Sequence, residues 1–535
     1  MAGWLPSAGA SAGPPAGPQA AIEIPSFPSL PAPDMAQGVE WVFGIPICRT
    51  AARERAQLNP KHEGEQPRVV GLFGLAMINI VAIASLRDLP QMATYGVGSI
   101  FFYLLAAAVF FLPVSLVAAE LATAWPERGG VYVWVREAFG ERWAFVAVFL
   151  QWLQNLCWFP VVLTFGAASL AFAILPDRSR ELSENQGFIV AVILVAYWSS
   201  VVLNLRGLSG SVRISIIGAF CGVVIPGLIL IGLAALLVLE GGTSHLLANG
   251  DRFVPDFTHF GNITFAVSVL LAFAGMEMTA AHAREVRDPE RVYPLGILLA
   301  AGVILVVFIL GALSIAVALA PDQYRLQSGV TEALRAMLGR YGLAEWSRLI
   351  ALGMAIGVFG SVNAWIVGPS KGMLVSAEDG TLPRWLCRTN ERAVPTRILG
   401  LQGVLVSLIC LGFTLQPTVA SAYFMISVLT IQMYLLMYVM LFAAALRLRR
   451  VRPHQPRPFR VPGGTLGLWL TSLLGIAGAL MAFWVGFFPP DQLASTGLRP
   501  GAFVRFLGVG LALSVSIPLL VFQFRRPEWR SEKGT

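Results

Sequence analysis

The stretch ITFAVSVLLAFAGMEMTAAHAREVRDP, residues 263–289, places a glutamate at the end of a long apolar run. A carboxylate at the centre of a membrane costs about 2.5–3.5 kcal/mol on the lenient insertion scale, so such a residue usually faces the protein interior or water. Gly275, two residues before Glu277, removes a side chain and weakens the helix. We therefore predict a membrane helix that breaks at Ala274–Gly275, where free backbone groups bind the charged groups of a small solute. The alternative is that Glu277 is a structural residue, hydrogen-bonded to a neighbouring helix.

The rest of the chain is also strongly apolar. Of its 535 residues, 56% are hydrophobic and only 13% are charged, whereas about a quarter of residues are charged in a typical soluble domain. Continuous apolar runs long enough to cross a bilayer recur along it, which predicts helices rather than a barrel. We predict an all-α membrane protein with twelve spans, at approximately residues 70–89, 98–123, 143–175, 188–205, 211–239, 262–282, 295–319, 346–376, 397–415, 419–446, 466–488 and 501–523.

The positive charges indicate which side of the membrane each loop faces. With the N-terminus inside, the cytoplasmic segments hold 28 of the 38 Lys and Arg residues, and residues 447–460 are the most basic of them. Because basic residues are retained on the cytoplasmic side, both termini are predicted to be cytoplasmic. The net charge of +8 therefore reflects membrane topology and attraction to anionic lipid, and it predicts no nucleic acid partner.

Residues 1–68 differ in composition from the membrane segments. Two stretches rich in Pro, Ala, Gly and Ser cannot build a core, which predicts a disordered cytoplasmic extension. The extension lacks the features of a signal peptide, so the first membrane span is expected to direct insertion. The five cysteines suggest no disulfide framework, and the sequence contains no metal-ligand or nucleophile motif. We therefore expect no cofactor, no bound metal and no enzymatic activity.

The first predicted span, GLFGLAMINIVAIASLRDLPQMATYG at residues 71–96, is the expected counterpart of the broken sixth span. Asn79 is polar and deep within it, and Arg87, Asp88 and Pro90 are expected to close it at the outer side. No glycine follows Asn79 within the apolar run, so a break is less evident here than in the sixth span. Asn79 alone is equally consistent with substrate binding and with an interhelical hydrogen bond, which contributes about 1 kcal/mol.

Three stretches, in order along the chain, resemble signatures of the amino acid–polyamine–organocation transporter superfamily. They are AELATAWPERGGVYVWVREAFGERWAF at 119–145, FAGMEMTAAHAREVRDPERVYP at 273–294 and WIVGPSKGMLVSAEDGTLP at 365–383. Within the superfamily, VPDFTHFGNITFAV, RVYPLGILL and FRVPGG most resemble the bacterial glutamate/γ-aminobutyrate antiporter family. The resemblance runs from about residue 69 to 525.

This resemblance implies the leucine-transporter-like inverted-repeat fold, in which spans 1–5 and 6–10 have opposite topologies and spans 1 and 6 are discontinuous. It implies a transport core at 69–447, a basic loop with accessory spans 11 and 12 at 448–525, and a short cytoplasmic tail at 526–535. The implied function is alternating-access exchange of small-molecule amino acids across the bacterial cytoplasmic membrane. The sequence does not distinguish a monomer from a homodimer.

The resemblance also implies which residues meet the substrate and which control the gates. The backbone near Ile80–Ile83 and Ala274–Gly275 is expected to hold the α-carboxylate and α-amino groups. The residues predicted to bind substrate are Asn79, Ile80, Val81, Ala82, Ile83, Ala274, Gly275, Glu277, Ser361, Trp365 and Tyr434. Those assigned to gating or structure are Arg87, Asp88, Glu120, Trp152 and His282. Glu120, close in sequence to Arg128, is interpreted as an inner-gate or structural ion pair, and the alternative for Trp365 and Tyr434 is packing or interface anchoring.

Three features depart from the antiporter pattern. Ser361 stands where the pattern has an acidic residue on span 8. Arg87 and Asp88 stand where the antiporter pattern has tyrosine and glutamate. The chain ends at Thr535, whereas the family's best-known member continues into a long tail that closes the inner vestibule. Glutamate specificity and acid gating are therefore open questions at the level of sequence.

We predict exchange as the coupling mode. An exchanger requires that the empty transporter reorients poorly, so that only a loaded binding site crosses the membrane. The chain has three lysines, Lys61, Lys371 and Lys533, and none lies at mid-membrane, where a lysine could replace a coupling sodium ion. Ser361 and Asn363 on span 8 have side chains that can bind a cation. A proton- or cation-coupled permease for neutral or cationic amino acids or polyamines is therefore the alternative. A membrane amino acid sensor is the alternative from another class, although a sensor usually carries an ordered signalling domain.

Overall fold

The computed structural model divides into two compact units, residues 1–66 and 67–535. In the first unit two strands, β1 (Val39–Val42) and β2 (Ile45–Cys48), pair antiparallel, a hairpin that the sequence analysis did not predict. The predicted disorder of the other residues up to 68 lies outside the part of the chain that the structure describes. The described residues are 39–42, 45–48, 71–127, 129–206, 217–218, 220–241, 244–249, 252–255, 264, 266–277, 286, 288–320, 323, 325–391, 394–489 and 499–529.

The second unit is helical. Its helices are α1 (Leu72–Ile83), α2 (Leu89–Ala93), α3 (Gly98–Ala124), α4 (Val131–Phe139), α5 (Glu141–Ile174), α6 (Ser179–Glu184), α7 (Gln186–Arg206), α8 (Phe220–Leu239), α9 (Leu246–Asn249), α10 (Ser268–Ala272), α11 (Pro289–Ala318), α12 (Gly329–Arg340), α13 (Trp346–Glu378), α14 (Thr396–Phe413), α15 (Val419–Val451), α16 (Gly464–Val485) and α17 (Pro500–Gln523). Two of them include a π-helical segment, at Ala107–Phe111 in α3 and Phe220–Val224 in α8. Short 3-10 helices lie at Pro176–Arg178, Arg384–Cys387 and Pro527–Trp529.

Within the part of the chain that the structure describes, ten helices are long and apolar enough to cross a membrane. They are α3, α5, α7, α8, α11, α13, α14, α15, α16 and α17. Each overlaps one of the twelve predicted spans, and the predicted spans without such a helix are the first and the sixth. These two are represented by short helices, α1 with 12 residues and α10 with 5. The helical membrane unit is therefore confirmed, while the count of twelve spans stays a prediction.

The first predicted span is interrupted after α1. The helix continues through Ile80–Ile83, and helical structure resumes only at Leu89, the start of α2. The break therefore comprises residues 84–88 and directly follows Ile80–Ile83, the segment whose backbone was predicted to bind substrate. Pro90 does not close the span, since it lies in the first turn of α2. Proline is tolerated there because its missing N–H needs no helical partner.

The sixth predicted span is interrupted at the expected glycine. α10 ends at Ala272, the next three residues are non-helical, and Met276 and Glu277 begin a 3-10 turn. Gly275 has a φ of +119°, a conformation that residues with side chains rarely adopt. A Cβ at Gly275 would also lie 2.9 Å from the Trp365 ring, so both the backbone and the space require glycine.

α5 and α15 form the centre of the helical unit. Of their most apolar segments, 78% and 83% are buried within the protein, against 33% for α16 and 22% for α17. α5 packs mainly against α13 and α15, while α16 packs mainly against α15. Because lipid can cover apolar faces that the protein leaves exposed, the low burial of α8, α16 and α17 fits helices at the outside of a membrane unit.

Candidate functional site

Glu277 is the centre of a buried hydrogen-bond network beside the break of the sixth predicted span. It is 3% exposed. The hydroxyl of Tyr434 donates to its Oε1, and so does the amide of Gln151 at 3.2 Å. The hydroxyl of Tyr438 donates to its Oε2 at 2.6 Å. The network ties the broken span to α15, which carries both tyrosines, and to α5, which carries Gln151.

The partners of this carboxylate in the described part of the chain are all neutral groups. Two are phenol hydroxyls and one is a carboxamide. A buried charge is costly unless a cation or several hydrogen bonds compensate it. The three hydrogen bonds therefore hold the carboxylate of Glu277 in place without a cation beside it.

Tyr438 has a second role at the break. Its hydroxyl oxygen accepts the backbone N–H of Gly275 at 2.9 Å, while its own proton goes to Glu277. A backbone N–H that loses its helical partner must be satisfied in another way when it is buried. α15 therefore supplies the partner that the interrupted helix does not.

A cavity lies between the two helix interruptions. It leaves about 40 Å³ to the centres of water molecules, which is room for about two or three waters and too little for an amino acid. The site is therefore contracted in this structure and must widen to accept a solute. Both breaks and the central helices line it, through Ile83, Ala84, Ser85, Arg87, Asp88, Gln154, Asn155, Trp158, Ala272, Ala274, Ser361, Trp365 and Tyr434.

An ion pair between adjacent residues forms part of the cavity wall. Arg87 donates from Nε to Asp88 Oδ1 at 2.9 Å and from Nη2 to Asp88 Oδ2 at 2.7 Å. Both residues are buried. They were expected to close the outer end of the first span, whereas the structure places them in its break.

The predicted binding residues separate into those that line this cavity and those that do not. Those that line it are Ile83, Ala274, Ser361, Trp365 and Tyr434. Asn79 does not, because it is buried in α1 and its Nδ2 donates to the carbonyl of Leu75 at 2.9 Å. Ile80, one residue further along α1, is not part of the lining either, and neither are Gly275 and Glu277. Outside the part of the chain that the structure describes lie the side chains of Val81 and Ala82 and all of His282.

Sequence analysis missed three amide side chains on α5. Gln151 bonds Glu277, and Gln154 and Asn155 line the cavity. Their spacing of three and four residues places them on one face of a helix. Three amides on one face of an apolar span are a signal for a functional surface, because polar groups in a membrane span usually face its interior.

Two residues considered for gating or cation binding are engaged between helices. Trp152 Nε1 donates to Gln402 of α14 at 2.9 Å. The amide of Asn363 donates to Ser200 at 3.2 Å and accepts from Asn204 at 3.1 Å, both on α7. The polar atoms of Asn363 that would bind a cation are therefore occupied. Among the residues that the structure describes, no group of three or more His, Cys, Asp or Glu side chains could hold a metal ion.

Glu120 lies near the end of α3 and is bound by residues from the end of α15 and beyond. Arg449 Nη2 donates to both its oxygens, at 2.7 and 2.6 Å, and Arg457 Nε lies 3.4 Å from Oε1. The backbone N–H of Val461 donates to Oε2 at 2.8 Å. These contacts favour the structural interpretation of Glu120. Arg128, its neighbour in sequence, lies outside the described residues.

A second polar contact joins α4 to the end of α13. The carboxylate of Asp379 accepts from the Tyr132 hydroxyl at 2.7 Å and from Arg136 Nη1 at 2.9 Å. Burial, together with the hydrogen bond to Asp379, raises the pKa of Tyr132 well above the ordinary phenol value. The phenol therefore keeps its proton, and the contact persists across the physiological pH range.

The sequence of the chain matches a known family of membrane transporters. The sequence model described as amino acid permease matches residues 70–511, most of the chain. The chain therefore belongs to the amino acid permease family, within the amino acid–polyamine–organocation superfamily. Members of this family are transporters and not enzymes, which confirms the class expected from the sequence.

Three bacterial relatives extend this result. An uncharacterized transporter of Legionella pneumophila is 40% identical over 453 residues, 85% of this chain and 96% of its own length. A glutamate/γ-aminobutyrate antiporter of Lactococcus lactis is 29% identical over 459 residues, 85% of this chain and 90% of its own. A probable agmatine/putrescine antiporter of Lactococcus lactis is 25% identical over 397 residues, 72% of this chain and 81% of its own. With the ten apolar helices, these findings make the chain a multi-pass amino acid transporter of the bacterial inner membrane.

Proposed function

We propose that this protein exchanges glutamate and γ-aminobutyrate across the bacterial cytoplasmic membrane by alternating access. The observation that carries this proposal is the cavity lined by both helix interruptions. The polar network of Glu277 borders it through Tyr434. The substrate pair is supported by the glutamate/γ-aminobutyrate antiporter of Lactococcus lactis, which is similar over most of both chains.

The proposed architecture is an inverted repeat of two five-span halves followed by two accessory helices. In it, α1 and α2 together form the first span, and α10 and the break at Ala274–Gly275 belong to the sixth. α16 and α17 are the accessory pair, in agreement with their low burial. Both termini lie in the cytoplasm, because 28 of the 38 Lys and Arg residues then lie on that side.

The interruptions supply the groups that bind the substrate's charged ends. The last carbonyls of α1 have no helical partner and form the negative end of that helix, which suits an ammonium group. The substrate's α-carboxylate lies towards the break at Ala274–Gly275. Trp365 and Ser361 of α13 form the wall beside it.

Glu277 links occupancy to movement of the gate in this mechanism. Its hydrogen bonds hold the sixth-span break against α15 and α5. Tyr434 also lines the cavity, so a substrate that contacts its hydroxyl changes the bond to Glu277. A ligand shifts a conformational equilibrium only by interacting differently with the two states, and this bond provides such a difference.

Counterflow in liposomes tests the proposed function. Purified protein is reconstituted into liposomes that contain one of the twenty amino acids, γ-aminobutyrate or putrescine, and uptake of labelled glutamate and of the labelled form of each internal solute is measured. We expect accumulation with internal γ-aminobutyrate or glutamate, and none in empty liposomes.

Each other outcome points to a different function. Exchange of another amino acid, with glutamate inactive, would overturn the substrate pair. Uptake into empty liposomes driven by a proton or sodium gradient would replace exchange with a coupled permease. Absence of transport for every solute in folded protein would favour a sensor.

A further inference from the structure

Arg87 has one guanidinium nitrogen that no atom of the described residues satisfies. Its Nε and Nη2 both donate to Asp88, whereas its Nη1 is buried without a hydrogen-bond partner. Because Arg87 is only 2% exposed, bulk water does not compensate for this loss. An unpaired buried donor on a charged group is costly and rare, so it points to a ligand that belongs there.

The cavity is where that ligand would lie, since Arg87 forms part of its wall. Asp88 binds the guanidinium side-on through Nε and Nη2, which leaves Nη1 on the opposite edge.

A second unpaired atom belongs to the same wall. Asn155 is 1% exposed and donates from Nδ2 to the carbonyl of Trp365 at 3.0 Å, but its Oδ1 has no partner. The wall therefore offers an unpaired charged donor and an unpaired neutral acceptor.

Arg87 is also the one cation among the described residues that line the cavity. The pair that it forms with Asp88 is neutral as a unit, so an additional carboxylate is not repelled from it. The nearby backbone N–H of Gly275 is already bound by Tyr438. A carboxylate that binds beside Arg87 would therefore find in Nη1 a charged donor that no described residue occupies.

Glutamate and γ-aminobutyrate share an ammonium group and one carboxylate. γ-Aminobutyrate is glutamate without its α-carboxylate, and in both molecules two methylene groups separate the ammonium-bearing carbon from the remaining, distal carboxylate. An exchanger of this pair therefore needs a fixed site for the distal carboxylate, because the α-carboxylate is present in only one partner.

We propose that Arg87 binds the distal carboxylate of the substrate through Nη1 while it stays paired with Asp88, and that Asn155 Oδ1 accepts from the ammonium group. This inference rests on the proposed exchange and assigns its substrate class to amino acids with a carboxylate beyond the α position. Putrescine has an ammonium group where γ-aminobutyrate has its carboxylate, and it is disfavoured because an ammonium group cannot accept a hydrogen bond from Arg87 Nη1.

The test compares glutamate with glutamine, which carries a carboxamide in place of the distal carboxylate and has nearly the same shape. Self-exchange of each labelled solute at low concentration is measured in liposomes for the wild type and for Arg87→Gln/Asp88→Asn. The double variant is used because it leaves no buried aspartate without its cation. We expect its preference for glutamate over glutamine to fall roughly 10- to 100-fold, the effect of one charged hydrogen bond.

Two further variants make the comparison specific. Arg335→Gln/Asp177→Asn removes an arginine–aspartate pair, 3.1 Å apart, that is exposed and does not line the cavity. We expect the glutamate preference of this control to equal that of the wild type. Arg87→Lys keeps the charge but not the planar fork, so its preference should be intermediate.

The outcomes separate this inference from the proposed function. If the wild type exchanges glutamate and γ-aminobutyrate and the Arg87/Asp88 variant keeps the full glutamate preference, the inference is overturned while the exchange stands. If the wild type exchanges neither solute, both are overturned. If the double variant does not yield folded protein, Arg87→Lys decides the outcome. An unchanged preference for glutamate over glutamine in Arg87→Lys overturns the inference. A loss of this preference in the Arg335/Asp177 control that equals the loss in Arg87→Lys also overturns it.

Discussion

Glu120 and Glu277 are both 3% exposed, yet they have opposite kinds of partner. Glu120 meets the guanidinium groups of Arg449 and Arg457. The described partners of Glu277 are two phenols and a carboxamide, all neutral. The charge of Glu120 is compensated permanently, so this region is a fixed clamp between α3 and the end of α15. The charge of Glu277 has no such compensation, so the energy of its region depends on what enters the neighbouring cavity.

The largest expected effect is on stability, at the clamp. Glu120→Gln removes the negative charge and leaves the buried guanidinium group of Arg457 and the partly buried one of Arg449 without it. Breaking a buried ion pair from one side costs about 3–5 kcal/mol, so folded yield and the temperature of unfolding in detergent should fall sharply. The matched control is Glu137→Gln, which affects a more exposed pair with Arg452 and should change stability by less than about 1 kcal/mol. Equal stability of the two variants would remove the distinction between the clamp and ordinary surface pairs.

The next effect is on transport, at the other glutamate. Glu277→Gln keeps the shape of the side chain and removes its charge. Loss of a charged hydrogen bond corresponds to about 1.5–3 kcal/mol, so exchange should fall by an order of magnitude or more. The amount of folded protein should stay normal, because a neutral amide is easier to place in a membrane than a carboxylate.

Two results would contradict this expectation. Full exchange at normal expression would show that the charge of Glu277 is not used. Loss of the folded protein would make Glu277 a structural residue like Glu120, and the comparison between the two regions would then fail.

A third prediction compares the two tyrosines of the Glu277 network. Tyr438→Phe leaves both the N–H of Gly275 and one oxygen of Glu277 without this partner, whereas Tyr434→Phe affects one oxygen that Gln151 also contacts. We expect about 1–3 kcal/mol of destabilisation for the first variant and about 1 kcal/mol or less for the second. Thermal unfolding of both purified proteins measures the difference. Identical unfolding temperatures would show that the bond to Gly275 does not stabilise the break.

The smallest effect is expected at Trp152, which belongs to the fixed part of the molecule. Trp152→Phe removes the hydrogen bond to Gln402, whose Oε1 still accepts from Ser370 at 2.8 Å. The loss should be about 0.5–1.5 kcal/mol of stability, with an unchanged order of preference among solutes in the counterflow panel. A changed order of preference among the solutes would instead support the gating role predicted for Trp152.

Much of the fold follows from local properties of the sequence. A bilayer crossing needs a continuous apolar helix, so the ten long apolar helices could be predicted from run length alone. The interruption at Gly275 was also predictable, because glycine beside a carboxylate in an apolar run is a local signal. The position of the break after Ile83 could not be predicted, since residues 84–88 contain no glycine and their conformation accompanies a buried ion pair between Arg87 and Asp88.

The tertiary structure alone decided which side chains meet. The sequence identified Glu277 as an unusual carboxylate, but its partners Gln151 and Tyr438 lie 126 and 161 positions away. Glu120 pairs with Arg449, 329 positions away, although Arg128 is its neighbour in sequence. A residue's chemistry and its helix are fixed locally, by composition and hydropathy. Its partners depend on how α3, α5 and α15 pack against one another, and that packing is a property of the whole folded chain.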